Sequence, residues 1–320
     1  MKTELEKVLN LRKFFTINKS SNTTITYNLS KSSLLFLQNI YISWLQSVCT
    51  KTSKHIPVFI TKKYAEGHNQ DQPFGFLENH VIKYDESAVL HHDIEDCAPK
   101  NTSLLQLNMI VPHHTSMQYF IQWQRHRKYW WSSVTTTPSL FAVNEIKYEK
   151  ETAESNIVAQ FPWGHHTVET VSMTSRGTED SSHLKCSMSL ERAMFILLLD
   201  GMMNKRYSEY LKLHRNMTPY KISFALNTKK KTDLTNMNGL VNLMRQRLKL
   251  KDISSYLPDL TLALEEQIKE NLQLGVTYTA ILCDNTLTNG IFNLLNSSTM
   301  LTEEVHVADF DSYAMLLCRK

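Results

Sequence analysis

Apolar residues recur every three or four positions through "ELEKVLNLRKFF" and "SKSSLLFLQNIYISWLQSV", so residues 1–50 are expected to be helical, with Ser30 or Ser32 capping the second helix. The pattern then shortens. "HIPVFITKKY" (55–64) reads as a strand followed by a polar loop to Pro73, and "FGFLENHVIKYD" and "TSLLQLNMIVP" read as strands around an acidic loop, "HHDIEDCAPKN". An antiparallel sheet is the simplest product. "MQYFIQWQRHRKYWWSSV" (117–134) is an aromatic-rich helix, followed by the loop "TTTPSL" and the segment "NIVAQFPWGHHTVETVSM". In "CSMSLERAMFILLLDG" (186–201) a strand end runs straight into a buried helix.

Pro219 marks the expected domain boundary, and beyond it strands and helices alternate. "YKISFAL" is a strand, "LTNMNGLVNLMRQRLKL" a helix, "DLTLALEEQIKENLQLG" a helix ending at Gly275, and "VTYTAILCD" a strand. "GIFNLLN" starts a helix, "EVHVA" is a strand and "DFDSYAMLLC" a helix. This alternation predicts an α/β unit with a parallel or mixed sheet.

With 320 residues, 42% of them hydrophobic and 21% charged, the chain can build two ordinary cores. A net charge of +4 permits nucleic-acid contact without requiring it. No apolar run is long enough to span a bilayer, so no membrane contact is expected. The basic opening segment has the amphipathic look of a mitochondrial presequence, but Glu4 and Glu6 favour a first helix of the fold. Five widely spaced cysteines without a CxxC pair point to a reducing or thiol-tolerant compartment. Eight glycines, none within seven positions of the next, rule out GxGxxG, Walker A and GxSxG loops.

Four constellations carry candidate chemistry. The pairs His91-His92, His113-His114 and His165-His166 invite a metal reading, but adjacent histidines diverge and no ligand spacing supports them, so surface histidines and no metal are expected. In "QWQRHRKYWW" the cations Arg125, Arg127 and Lys128 are candidates for DNA-phosphate contact, or else simply solvated, while the tryptophans are expected in the core. Lys229, Lys230 and Lys231 form a second basic candidate, or else a solvated loop. Glu191-Arg192 matches the end of the ATP-binding strand-helix unit of class II aminoacyl-tRNA synthetases. Met188 stands where that site needs a small residue, and the neighbouring strands offer no arginine, so Glu191 and Arg192 read as a vestigial ATP motif with no cofactor.

The series "LRKFFTIN", "QWQRHRKYWWSSVTTTPSLF", "QFPWGHHTVET", "LERAMFILLLDG", "LHRNMTPYKISFAL" and "VTYTAILCDNTLTNGIFNLL" resembles, in order, the accessory (beta) subunits of mitochondrial DNA polymerase gamma, especially the shorter insect-type members. The resemblance implies a degenerate class II synthetase-like antiparallel sheet domain (1–216), then an anticodon-binding-like α/β domain with a mixed sheet (217–320): an α+β and α/β chain. It further implies no catalytic residues of its own, mitochondrial matrix and nucleoid location, binding to the polymerase's catalytic subunit through 217–320, and a tighter hold on primer-template DNA.

Two departures qualify it. Vertebrate members dimerise through a long helical insertion that has only a short loop here, so a monomer in a 1:1 heterodimer is expected. Where the family carries an Arg-x-Arg-Asp stretch this chain has "IFNLLNSSTM", which makes Ile291, Phe292 and Leu295 apolar docking candidates or, alternatively, helix-core residues. Two competing readings stay open: a synthetase-derived tRNA-binding or regulatory protein, and an ATP-using synthetase.

Overall fold

The structure, a computed structural model, describes residues 2–21, 23–52, 56–60, 73–93, 99–175, 180–204, 210–227 and 231–318. The chain is mixed α+β and divides into two compact units, 1–200 and 201–320.

The first unit opens with helix α1 (Lys2–Leu9), a hairpin of β1 (Phe15–Ser20) and β2 (Thr24–Leu29), and helix α2 (Lys31–Thr52). The hairpin corrects the expectation of continuous helix. The chain turns at Leu11, whose carbonyl accepts from the Phe14 and Phe15 amides, and the alternating "TITYNL" then buries Ile25, Tyr27 and Leu29. Ser30 is the cap of α2: its Oγ accepts from the Ser32 and Ser33 amides at 3.2 and 3.4 Å.

Strands β3 (Val58–Ile60), β4 (Phe74–Leu77), β5 (Val89–Asp93) and β6 (Leu104–Pro112) lead to helix α3 (Ser116–Val134). β4 is shorter than expected. After it the chain is irregular to Tyr84, apart from a bridge between His80 and Leu104. His91, His92 and Asp93, expected in a loop, lie in β5, which pairs with β2 and completes a three-stranded sheet ordered β1-β2-β5.

The remaining strands are β7 (Phe141–Val143), β8 (Lys147–Glu149), β9 (Thr152–Phe161), β10 (Gly164–Ser175) and β11 (Ser181–Ser189), and helix α4 (Leu190–Met203) follows directly. They build an eight-stranded sheet, β3-β4-β6-β11-β10-β9-β7 with β8 also on β9, antiparallel except for β3 beside β4. α3 covers one face through Phe120, Trp123, Trp130, Trp131 and Val134, all buried, and Trp131 packs on Phe141 at 5.1 Å. Each such side chain contributes about 1.5–3 kcal/mol by leaving water. On α4, Phe195 stacks on Phe15 at 5.4 Å and meets His92 edge-on at 5.0 Å.

The second unit has a five-stranded mixed sheet built from β12 (Ile222–Asn227), β13 (Ser255–Tyr256), β14 (Tyr278–Cys283), β15 (Ile291–Asn296) and β16 (Leu301–His306). The order is β13-β12-β14-β15-β16; β12 runs parallel to β13 and β14, and β15 and β16 are antiparallel additions that leave β16 at the edge. Its helices are α5 (Lys231–Leu250), α6 (Leu264–Gln273), the single turn α7 (Thr286–Asn289) and α8 (Phe310–Cys318). α5 and α8 share a core with Phe224, Leu226, Phe292 and Leu294. α6 takes the other face, where buried Asn271 accepts from Ser223 Oγ at 2.6 Å and buried Gln267 accepts from the Leu226 amide at 2.9 Å.

Two helix expectations change here. α6 starts at Leu264 because Asp259 accepts from the amide and hydroxyl of Thr261, which holds that stretch in a turn. "IFNLLN" is strand β15, not a helix. Gly290, at φ +72°, ends α7, and a side chain there would meet the His306 ring at 2.5 Å. Beyond it Ile291 and Asn293 are exposed while Phe292 and Leu294 are buried, the alternation of a strand.

Candidate functional site

The junction of β11 and α4 places the Glu-Arg pair. Ser189 ends the strand and caps the helix, its Oγ accepting from the Arg192 amide at 3.2 Å, while the Leu190 amide donates to the Ser103 carbonyl at 3.0 Å. Glu191 therefore points inward and is fully buried. Its Oε2 accepts from the Ser103 amide at 2.7 Å; its Oε1 accepts from Ser103 Oγ at 2.6 Å and from the Tyr84 hydroxyl at 2.8 Å. Ser103 Oγ also accepts from the Ile82 amide at 3.1 Å, so the irregular 81–84 segment is tied down at two points. Arg192 is half-buried and donates from Nη1 to the Thr167 carbonyl at 3.2 Å. Met188 is buried opposite Glu169 and Leu105. The acid of the motif is thus fully engaged with protein donors and presents no oxygen to solvent.

Burial raises the Glu191 carboxyl above the usual carboxylate range, against the opposing effect of the bonds from Ser103 and Tyr84. Burial and the Glu191 charge likewise push Tyr84 upward. Because the folded-state pKa of Glu191 is raised, the folded chain takes up this proton first. Its contribution to stability is complete below the ordinary glutamate range and is lost as pH rises through the raised value. Glu191→Gln, which resembles the protonated acid, is expected to flatten that part of the pH dependence of the urea midpoint. A slope identical to wild type would show that Glu191 does not titrate there. Beside Tyr84, an apolar cavity of about 400 Å³ opens between Leu34, Leu37 and Tyr41 of α2 and Val81 and Ile82.

The basic candidates separate. Arg125 and Lys128 are exposed on α3, whereas Arg127 is fully buried, which corrects its expected contact with phosphate. Its Nε donates to Glu169 Oε1 at 2.7 Å and its Nη1 to Ser47 Oγ at 3.2 Å; its guanidinium lies 4.5 Å from the Trp130 ring. Trp131 Nε1 donates to the second Glu169 oxygen at 2.8 Å. Arg127 belongs to the same helical stripe as Trp123, Trp130 and Trp131, a signal that was present in the spacing. Lys229 and Lys230 lie outside the described residues, and Lys231 is the first residue of α5.

Of the apolar docking candidates, Ile291 is 37% exposed, while Phe292 and Leu295 are buried. His91, His113, His114 and His165 are exposed, but His92 is buried beside Tyr27 and Phe195, contrary to the surface position expected. Among the described residues no group of three His, Cys, Asp or Glu is placed to hold a metal ion, and no helix is long and apolar enough to cross a membrane.

No family model matches the chain. It is 24% identical over 276 residues to the mitochondrial DNA polymerase subunit gamma-2 of Drosophila melanogaster, covering 75% of this chain and 76% of that protein. The chain is a homologue of the gamma-2 subunits. The gamma-2 subunit of Xenopus laevis is 25% identical over 224 residues, and that of Bos taurus 22% over the same length; in each case 61% of this chain is covered. This gamma-2 homologue spans 48% and 46% of those vertebrate proteins, about half their length.

Proposed function

We propose that this chain is a non-catalytic accessory subunit of a mitochondrial DNA polymerase, which binds the catalytic subunit and tightens its hold on primer-template DNA. The observation that carries this reading is the similarity to the fruit-fly gamma-2 subunit over three quarters of both chains. The closed environment of Glu191 is consistent with it, because a carboxylate saturated by Ser103 and Tyr84 is not free to order a nucleotide. On this reading 1–216 is a degenerate synthetase-like domain, 217–320 an anticodon-binding-like domain that docks on the polymerase, and Ile291 an exposed apolar contact. The chain acts in the mitochondrial matrix as a monomer in a 1:1 complex.

Mixed with its cognate catalytic subunit, the purified chain is expected to co-purify with it and to lengthen primer-extension products at elevated salt. Failure of both would overturn the proposal. Sedimentation of the isolated chain should give a mass near 37.1 kDa, and a dimer mass would remove the 1:1 part.

A further inference from the structure

Helices α2 and α3 pack against each other: Trp130 Nε1 donates to Ser43 Oγ at 3.2 Å, and His126 Nε2 lies 3.2 Å from Ser47 Oγ. They comprise 22 and 19 residues, and neither contains a single aspartate or glutamate, in a chain that has 31. This layer therefore offers cations with no carboxylate of its own to neutralise them. On α3 the division of faces is clean. Phe120, Trp123, Arg127, Trp130, Trp131 and Val134 are buried, while Ile121, Gln122, Arg125, Lys128 and Tyr129 are exposed.

Tyr129 is 72% exposed, one turn beyond Arg125 and next to Lys128. Four residues of helix rise about 6 Å, so the ring and both cations fall within a span that one or two nucleotides cover. Positive charge alone would suit any polyanion. An aromatic ring held out beside it adds a surface on which an unpaired base stacks, while the bases of an intact duplex are already stacked on each other.

Resting on the reading that this chain contacts primer-template DNA, we propose that the outer face of α3 recognises the junction of duplex and single strand. Arg125 and Lys128 neutralise backbone phosphates, and Tyr129 stacks on the first unpaired base.

The test measures fluorescence anisotropy of the whole chain with a blunt duplex, the same duplex carrying a single-stranded tail, and the tail strand alone. The tailed duplex should bind roughly five- to a hundredfold more tightly than the blunt one, the range that one base–aromatic stack supplies. Tyr129→Ala should remove that difference and leave blunt-duplex binding unchanged, and Tyr129→Phe should keep it. Arg125→Glu with Lys128→Glu should weaken both duplexes and flatten the log–log salt dependence by about two. All four substitutions are at exposed positions, so a melting temperature matching wild type is expected and confirms folding. Equal wild-type affinity for blunt and tailed duplexes, tightest binding to the tail strand alone, or an undiminished preference in Tyr129→Ala would overturn the inference. Those outcomes leave co-purification and primer extension untouched, so this inference can fail while the accessory-subunit reading stands.

Discussion

Replacing Arg127 by alanine is expected to destabilise the first unit by about 3–5 kcal/mol, the usual cost of stranding a buried charge. Among the described residues Trp131 would then be the side chain left bonding Glu169, which is itself buried. Urea unfolding followed by tryptophan fluorescence reads this directly, since Trp44 and Trp130 flank the guanidinium. Arg125→Ala, two residues away and exposed, should change stability by no more than about 0.5 kcal/mol. Replacing both partners with apolar residues of similar size, Arg127→Met with Glu169→Leu, should recover much of the loss, because the pair's own desolvation cost disappears with it. A loss below about 1 kcal/mol for Arg127→Ala would mean that Glu169 finds another partner or a proton at little cost.

Phe292→Ala is expected to cost the second unit about 3–5 kcal/mol. The ring is buried and meets Phe310 edge-on at 5.0 Å, at the point where β15 joins the core shared by α5 and α8. Ile291→Ser, one residue earlier on the exposed face, should leave the melting temperature nearly unchanged. Any effect of Ile291→Ser on association with a catalytic subunit would therefore report docking, whereas the same effect in Phe292→Ala would report unfolding. Thermal melts of the two variants separate these cases.

What the sequence made legible follows from how local each signal is. The extents of α3, α4 and the β11–α4 junction could be read directly, since each rests on a dense apolar stripe or an uninterrupted apolar run. β1 was hidden because "LRKFF" continues the helical spacing of the preceding residues, and only pairing with β2 decides otherwise. β15 is similar: "IFNLLN" satisfies both a period of two and a period near four, and its partners β14 and β16 select the first. Arg127 illustrates the opposite failing. Its position lies in the tryptophan stripe, but its charge suggests solvent and a phosphate contact; Glu169, forty-two residues away, resolves the conflict. The environment of Glu191 was illegible for the same reason, because Ser103 and Tyr84 come from distant segments.

Among the described residues strand β16 is the last of its sheet, and five of its six residues are exposed. Open strand edges invite self-association. Here the middle of the edge carries Glu303, held by the Tyr313 hydroxyl at 2.9 Å, and Glu304. Two copies aligning these strands would bring four carboxylates together, a repulsion that a basic extended segment would turn into attraction. The two carboxylates thus oppose edge-to-edge pairing of this sheet with a second copy of itself.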